Sequence, residues 1–180
     1  LGDREAAMRR RAVAALGAIG VPEAGPAIAQ QLADADERVR EQAADVLGTL
    51  KTREAADSLL RALRDPSEAV RGEAIASLGE VGARSAAPAL REIYDSNPGQ
   101  HRMRLVLALR VLGDEQPFRT EIARLSKMAA GDPDEQRRRR AVEWLADLSR
   151  REAQPVLEQA LQDPSPQVRD AAQRILRRRG

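Results

Sequence analysis

A motif that recurs about every 31 residues constrains the fold of this chain more than any other feature. The stretch from Asp65 to Gly82, DPSEAVRGEAIASLGEVG, has close relatives that begin at Asp34 and at Asp163. The alanine at the middle of the motif recurs with spacings of 31, 31, 34, 33 and 31 residues, as Ala12, Ala43, Ala74, Ala108, Ala141 and Ala172. A leucine lies four residues after each of these alanines. Such a period predicts stacked copies of one small structural unit.

Each copy of the motif predicts one amphipathic helix, which we call helix B. Val39 and Ala43 share a face of such a helix, because residues four apart lie above one another. An aspartate lies nine residues before five of the six alanines, as Asp65 does before Ala74, and it is predicted to cap the helix. Pro66 would then be its first residue, and Glu68 would complete a capping box. The glycine that follows most of the leucines is predicted to end the helix.

A second apolar stretch precedes most helices B and predicts a partner helix, helix A. Three of these stretches carry a proline that should open or kink the helix at the same place, namely Pro26, Pro88 and Pro155. One pair of helices cannot bury its own apolar face, whereas stacked pairs can. The sequence therefore predicts a single domain over residues 1–180, with a lone helix B at 3–18 and helix pairs at 21–49, 52–80, 83–113, 115–148 and 151–178.

The composition agrees with an all-α fold. Hydrophobic residues make up 42% of the chain and are mostly alanine and leucine. Tyr94, Phe118 and Trp144 are the only aromatic residues, whereas β-sheets concentrate aromatic and β-branched side chains. The lack of cysteine excludes disulfides and thiolate metal sites, and no apolar run is long enough to span a membrane. These features predict a cytoplasmic protein.

The stretches DPSEAVRGEAIASLGEVG and DPSPQVRDAAQRIL resemble HEAT repeats, specifically the short bacterial type named after the phycobilisome lyases. The resemblance covers nearly the whole chain and implies a right-handed α-solenoid of about eleven helices. It also implies a ladder that joins the helix-B aspartates Asp34, Asp65, Asp132 and Asp163 to Arg40, Arg71, Arg138 and Arg169 of the same or the next repeat. Gly99 and Leu105 replace these residues in the fourth copy, so the ladder should break there. The lone first helix B predicts that the array extends further upstream or that residues 1–18 pack on something else.

Candidate catalytic residues are few. His101 is the only histidine, so a histidine metal cluster or a Ser-His-Asp triad lacks its parts. HEAT-repeat enzymes of the deoxyhypusine hydroxylase type bind iron through paired His-Glu motifs, and this sequence has none. The ladder residues recur once per unit and are therefore interpreted as structural. We predict a non-catalytic protein that holds no cofactor and no metal.

The predicted function is a scaffold that binds another protein through the concave face formed by the helices B. Residues 91–180 carry 18 lysines and arginines against 14 aspartates and glutamates, so this half is expected to meet an acidic partner surface. The fourth and fifth copies also combine apolar and arginine side chains, as protein interfaces do. The predicted partner-binding residues are Val106, Leu107, Arg110, Arg139, Arg140, Trp144 and Arg174.

Two other functions are compatible with the sequence. The basic second half could bind nucleic acid, although acidic helix-B positions in the second and third units would repel a duplex. A chromophore lyase, or an accessory of one, is the other alternative, and only the type of repeat supports it.

Overall fold

The computed structural model describes residues 2–96, 98–145 and 150–178, and this part of the chain is α-helical without strands. The predicted all-α fold of stacked helix pairs is confirmed, and the predicted end of one pair at residue 148 lies outside the described residues. The eleven α-helices of the described residues are α1 Gly2–Ile19, α2 Gly25–Gln30, α3 Glu37–Thr49, α4 Ala56–Ala62, α5 Glu68–Glu80, α6 Ala87–Ser96, α7 Arg102–Val111, α8 Gln116–Gly131, α9 Glu135–Trp144, α10 Arg150–Ala160 and α11 Pro166–Arg178.

The helices form two compact units, one up to Phe118 and one from Arg119. In the first unit α1, α3, α5 and α7 pack side by side in chain order, and we call these four helices the helix-B layer. Helices α2, α4 and α6 each pack on the helix B that follows them. In the second unit α9 and α10 both pack on α11. The single domain predicted over residues 1–180 stays a prediction.

Small and apolar residues hold each helix B of the first unit against the next. Leu78 of α5 is fully buried, and a Cβ atom on Gly79 would lie 3.0 Å from the Cα atom of Ala108 in α7. The hydroxyl of the buried Ser77 donates to the carbonyl oxygen of Ala44 at 2.7 Å, which adds a polar bond between α5 and α3. The backbones of neighbouring helices B therefore approach closely.

The first three helices A open with a short 3₁₀ turn before the α-helix begins. These turns span Pro22–Ala24, Arg53–Ala55 and Arg84–Ala86. Pro26 and Pro88 are the second residues of α2 and α6, where a proline opens the helix without removing a needed hydrogen bond. Pro155 differs, because it lies inside α10.

The predicted helix-B caps are wrong by two residues. Helix α5 begins at Glu68, so Asp65 precedes it by three positions and Pro66 lies in the turn. The carboxylate of Asp65 accepts instead from the N–H of Ser67 at 2.8 Å. Asp36 caps α3 by accepting from a backbone N–H of the first turn at 2.9 Å. Because Glu68 is the first residue of its helix and not the third, the predicted capping box is wrong as well.

A residue with a positive φ follows each of the four helices B of the first unit, and after α7 it is Gly113, with a φ of 102°. Gly20 follows α1 with a φ of 75°, and Gly82 follows α5 with a φ of 68°. Lys51 holds the same place after α3 with a φ of 52°, and among the described residues it is the only non-glycine with a positive φ. A Cβ atom in this conformation costs about 1 kcal/mol. The glycines predicted to end these helices, Gly48 and Gly79, lie inside them, three residues before this turn.

Candidate partner-binding surfaces

Arginines of helix B join neighbouring repeats through a recurring set of hydrogen bonds. Arg40 donates from Nε and Nη2 to the carboxylate of Asp65 in the next repeat, at 2.8 and 2.9 Å. Its Nη1 donates to the carbonyl oxygens of Asp34 and Ala35 in its own repeat, at 2.9 and 3.1 Å. The Arg40 and Asp65 side chains are only 12% and 8% exposed. A guanidinium bound on both edges therefore fixes one repeat against the next.

The same carboxylate pairing occurs at two other positions. Arg9 donates to Asp34 at 2.6 and 2.8 Å, and Arg138 donates to Asp163 at 2.8 and 3.0 Å. The hydrogen bonds from Arg9 and Arg138 hold the pKa of their aspartates below the ordinary value. The sequence left open whether the arginines pair with aspartates of the same repeat or of the next one. In these pairs the arginine binds the aspartate of the next repeat. The bonds to the arginine's own repeat go through backbone carbonyls.

Three of the predicted ladder residues lie outside this pattern. Arg71 and Arg169 donate from Nη1 to carbonyl oxygens of their own repeats, and neither meets a carboxylate within 4.0 Å among the residues that the structure describes. Asp132 lies 4.0 Å from Nη1 of Arg137, an exposed neighbour on its own repeat. The ladder of the first unit is therefore incomplete after Arg71, next to the copy in which Gly99 replaces the aspartate.

We call each arginine of the ladder, with the aspartate that it binds in the next repeat, a rung. His101 lies beside the incomplete rung at Arg71. Its side chain is 17% exposed, and its Nε2 lies 3.7 Å from Oε1 of Glu68. Gly72 makes room for the ring, because a Cβ atom there would lie 2.8 Å from Cε1 of His101. Burial lowers the pKa of His101 below its ordinary value, Glu68 opposes this, and Arg104 adds to the lowering. The ring of His101, in the 3₁₀ turn before α7, is thus packed against α5.

An open groove of about 580 Å³ crosses the helix-B layer of the first unit from α3 over α5 to α7. Gly48 and Gly79 line it together with Leu107 and Val111, and Val111 is 66% exposed. A Cβ atom on Gly48 or Gly79 would lie within 3.0 Å of the next helix B, so this column of the repeat sets how closely the helices that line the groove approach one another. Sequence reasoning missed the groove because it assigned these glycines to helix ends.

Three charged side chains border the groove. Lys51 lies at the turn after α3, and Arg104 of α7 donates to Glu73 at 2.6 Å. Burial raises the pKa of Glu80, Asp45 and Glu73 raise it further, and Lys51 opposes them. The groove therefore combines an apolar rim with two cations and one carboxylate. It offers no pair of carboxylates at a reacting centre.

A polar depression of about 420 Å³ lies nearer the start of the same layer. Glu41, Asp45 and Glu73 line it, together with Arg10 and Arg38. Acidic side chains thus occupy the helix-B layer at the second and third units, where the sequence places them.

The three predicted partner-binding residues of α7 lie in different environments. Val106 is only 1% exposed, so the prediction that it contacts a partner is wrong. Gly72, at the same position of α5, is buried as well, whereas Arg10 and Asp170, at the same position of α1 and α11, are exposed. Leu107 lines the groove. The guanidinium of Arg110 stacks over the ring of Phe118, with Cζ 3.8 Å from the centroid.

The other predicted residues lie in the second unit. Arg140 and Trp144 are four residues apart on α9, so they share a helix face, and Trp144 is 43% exposed. Arg139 lies 3.4 Å from Glu143, and the exposed Arg174 borders a shallow depression of about 210 Å³ between α9 and α11. This unit therefore presents exposed arginines and one exposed indole.

Membrane-spanning helices and metal-binding clusters are both absent from the described ranges 2–96, 98–145 and 150–178. No helix there is long and apolar enough to cross a membrane. No group of three or more histidine, aspartate or glutamate side chains there is arranged to hold a metal ion.

Comparison with known proteins relates the chain to repeat proteins. A family model of HEAT repeats matches residues 25–110 and 122–180, and a model of the PBS lyase HEAT-like repeat matches residues 8–34. A search of the curated proteins found no match. The solved complex of CpcE and CpcF of phycocyanin lyase from Nostoc sp. PCC7120 is similar with a TM-score of 0.54 and 22% identity, over 94% of this chain and 73% of that chain.

A second solved structure, human deoxyhypusine hydroxylase in complex with glycerol, is similar with a TM-score of 0.52 and 24% identity. That likeness covers 92% of this chain and 65% of that chain. At these identities both likenesses establish the fold and no activity.

Proposed function

Because the chain belongs to the HEAT-repeat family, we propose that it is a non-catalytic scaffold that binds a partner protein on the exposed face of its helix-B layer. The binding site of the first unit is the groove across α3, α5 and α7. Stacked repeats present such a groove already ordered, so binding needs little further ordering of the chain.

The conformation of Lys51 is the observation that carries this proposal. The equivalent positions after α1 and α5 hold Gly20 and Gly82, which adopt a positive φ without a steric cost. At the same turn the left-handed conformation of Lys51 destabilises the folded state by about 1 kcal/mol, and the Lys51 side chain lies at the groove. Local strain of this kind is found where a side chain has a task that glycine cannot perform. Here the task is to offer a cation at the edge of an apolar surface.

The lining of the groove defines the chemistry of the partner. Leu107 and Val111 suit apolar side chains, and the exposed fraction of Val111 makes it a contact that burial would stabilise. Lys51 suits an acidic residue beside those apolar side chains. In the second unit Arg140, Arg174 and the exposed Trp144 suit the same kind of acidic protein surface.

A pull-down with groove variants tests the proposal. The full chain is immobilised as wild type, as Leu107→Asp and as Lys51→Gly, and proteins captured from lysate of the source cells are identified by mass spectrometry. A true partner is retained by the wild type, lost with Leu107→Asp and reduced with Lys51→Gly, since the first variant places a charge on the apolar rim and the second removes the cation. Lys127→Ala, an exposed change on α8, is the matched control and should capture as the wild type does.

The Lys51→Gly variant is informative because it separates binding from folding. Glycine relieves the left-handed strain, so this variant should be at least as stable as the wild type while it binds less. A captured set that is identical for the wild type and both groove variants would exclude the groove as the binding site.

The two alternatives are tested with the same proteins. Exposed Arg140 and Trp144 favour nucleic-acid binding by the second unit, which predicts capture of random duplex DNA at low salt and steep loss as salt rises. The likeness to a phycocyanin lyase complex favours a lyase accessory, which predicts a change in bilin absorbance when the chain is added.

A further inference from the structure

The incomplete rung at Arg71 keeps half of the bonds that a complete rung has. Its Nη1 donates to the carbonyl oxygens of Asp65 and Pro66 at 2.7 and 2.9 Å. Arg40 and Arg138 make the same two backbone bonds in their own repeats, at 2.9 and 3.1 Å and at 2.7 and 3.3 Å. The guanidinium of Arg71 is therefore anchored in the same way as in the complete rungs.

In the part of the chain that the structure describes, the other edge of that guanidinium, formed by Nε and Nη2, meets no acceptor. In Arg40 and Arg138 the Nε and Nη2 atoms hold a carboxylate at 2.8 to 3.0 Å. Among the residues that the structure describes, nothing accepts from these two atoms in Arg71. The change lies in the next repeat, where Gly99 replaces the aspartate and adopts a φ of 47° at the start of a 3₁₀ turn.

Arg71 is half-buried, and the carboxylates nearest to it in sequence have other partners. The carboxylate of Asp65 is occupied by Arg40, and Glu73 is occupied by Arg104 at 2.6 Å. The half-exposed Glu68 faces His101 at 3.7 Å. An anchored guanidinium with two parallel N–H groups fits one carboxylate in a bidentate pair, and its fixed plane reduces the entropy lost on binding.

We infer that the open edge of Arg71 is a binding site for a carboxylate side chain of a partner protein, which completes the missing rung. The occupant is an aspartate or glutamate. In the three arginine–aspartate pairs of the described residues, the same Nε and Nη2 atoms donate to a carboxylate in this geometry. The inference depends on Arg71 alone and is independent of the groove bordered by Lys51.

Arginine side-chain NMR on the full chain tests it. The Nε–H signals of Arg71 and Arg40 are assigned with the variants Arg71→Lys and Arg40→Lys. The probe is acetyl-Asp-Pro-Ser-amide, which copies residues 65–67 of the chain, and the control is acetyl-Asn-Pro-Ser-amide, both at constant ionic strength. The Arg71 signal should begin apart from that of Arg40, move toward it with the aspartate peptide in the millimolar range, and stay in place with the asparagine peptide. The Arg40 signal should not move, because its edge is occupied.

Three outcomes would overturn the inference. An Arg71 signal that already lies at the Arg40 position without peptide means that an internal carboxylate fills the edge. Equal shifts with the two peptides, or none with either, mean that no carboxylate site exists. A shift with inorganic phosphate but not with the aspartate peptide assigns the edge to a different anion. Among the described residues Arg71 holds no carboxylate, so Arg71→Lys loses only its two backbone hydrogen bonds and should still unfold cooperatively, which separates loss of binding from loss of folding.

Discussion

Replacement of Asp65 by asparagine should destabilise the first unit through a single rung of the ladder. The change keeps the size of the side chain but removes its charge, so Arg40 loses a bidentate carboxylate that it binds at 2.8 and 2.9 Å. Exposed ion pairs contribute about 0.2–1 kcal/mol, and breaking fully buried ones costs about 3–5 kcal/mol. At 12% and 8% exposure this pair lies nearer the buried limit. Arg40 keeps its two backbone acceptors, however, so the expected loss is about 2–3 kcal/mol.

The pH dependence of this loss provides a second and independent measurement. Burial raises the pKa of Asp65, but the hydrogen bonds from Arg40 and Ser67 outweigh it, so the pKa of the folded state lies below the ordinary value. The carboxylate therefore stabilises the fold above its unfolded pKa, and this stabilisation is lost as the pH falls through the folded pKa. The difference between wild type and Asp65→Asn should be largest near about pH 7 and shrink as the solution is acidified below about pH 4.

The assay is urea unfolding followed by far-ultraviolet circular dichroism across that pH range. The matched control is Asp57→Asn, an exposed aspartate in the first turn of α4 whose replacement should change stability by less than about 0.5 kcal/mol. A loss for Asp65→Asn no larger than for Asp57→Asn, or a loss that does not shrink in acid, would refute the ladder as a source of stability.

Four further changes test other parts of the structure. Gly79→Ala should cost about 1–3 kcal/mol in urea unfolding, despite a helix propensity that favours alanine by about 1 kcal/mol, because the new Cβ would lie 3.0 Å from Ala108. Ser77→Ala should cost about 1 kcal/mol through loss of the bond to Ala44, and a neutral result would contradict that contact. Lys51→Gly should leave stability unchanged or raise it by up to about 1 kcal/mol, and a clear loss would remove the argument from strain. As the only histidine, His101 gives a single NMR titration whose pKa should lie below the ordinary value and rise in Arg104→Gln; an unshifted pKa would contradict its burial.

The helix pairs were predictable from the sequence because each repeat presents the same stacking problem. Ala43 and Ala74 recur at a spacing of 31 residues, and both are fully buried where neighbouring helices B meet. Residues that recur at the same position of every repeat are the ones that pack between repeats. This packing decides which face of each helix is buried. Helix α1 accordingly spans Gly2–Ile19 and packs on α3.

The positions of the caps were not predictable from the aspartate alone, because two partners compete for its carboxylate. Asp34 and Asp65 bind an arginine of the preceding repeat, so the cap passes to the residue two positions later. In Asp34-Ala35-Asp36 that later residue is itself a strong capping residue, which is a signal that the sequence did contain. The burial of Val106 was missed for a related reason, since a helical wheel shows which face a residue occupies but not whether a neighbouring helix covers it.

Stacking of repeats requires that polar groups be satisfied within the chain, whereas partner binding requires polar groups that stay available. This difference determines where a partner-binding site can occur. A residue that completes a rung, such as Asp65, has its polar groups satisfied within the chain and offers little to a partner. Arg71 and Lys51 lie where one copy of the first unit departs from a repeated column: Gly99 replaces the aspartate that would follow Arg71 in the next repeat, and Lys51 itself stands where other copies have a glycine. Each leaves a cation that is held by the fold and forms no ion pair within 4.0 Å among the residues that the structure describes. Sites on such an array are therefore expected at single departures from a repeated column, because only there does the scaffold remain stable while a charged group stays available.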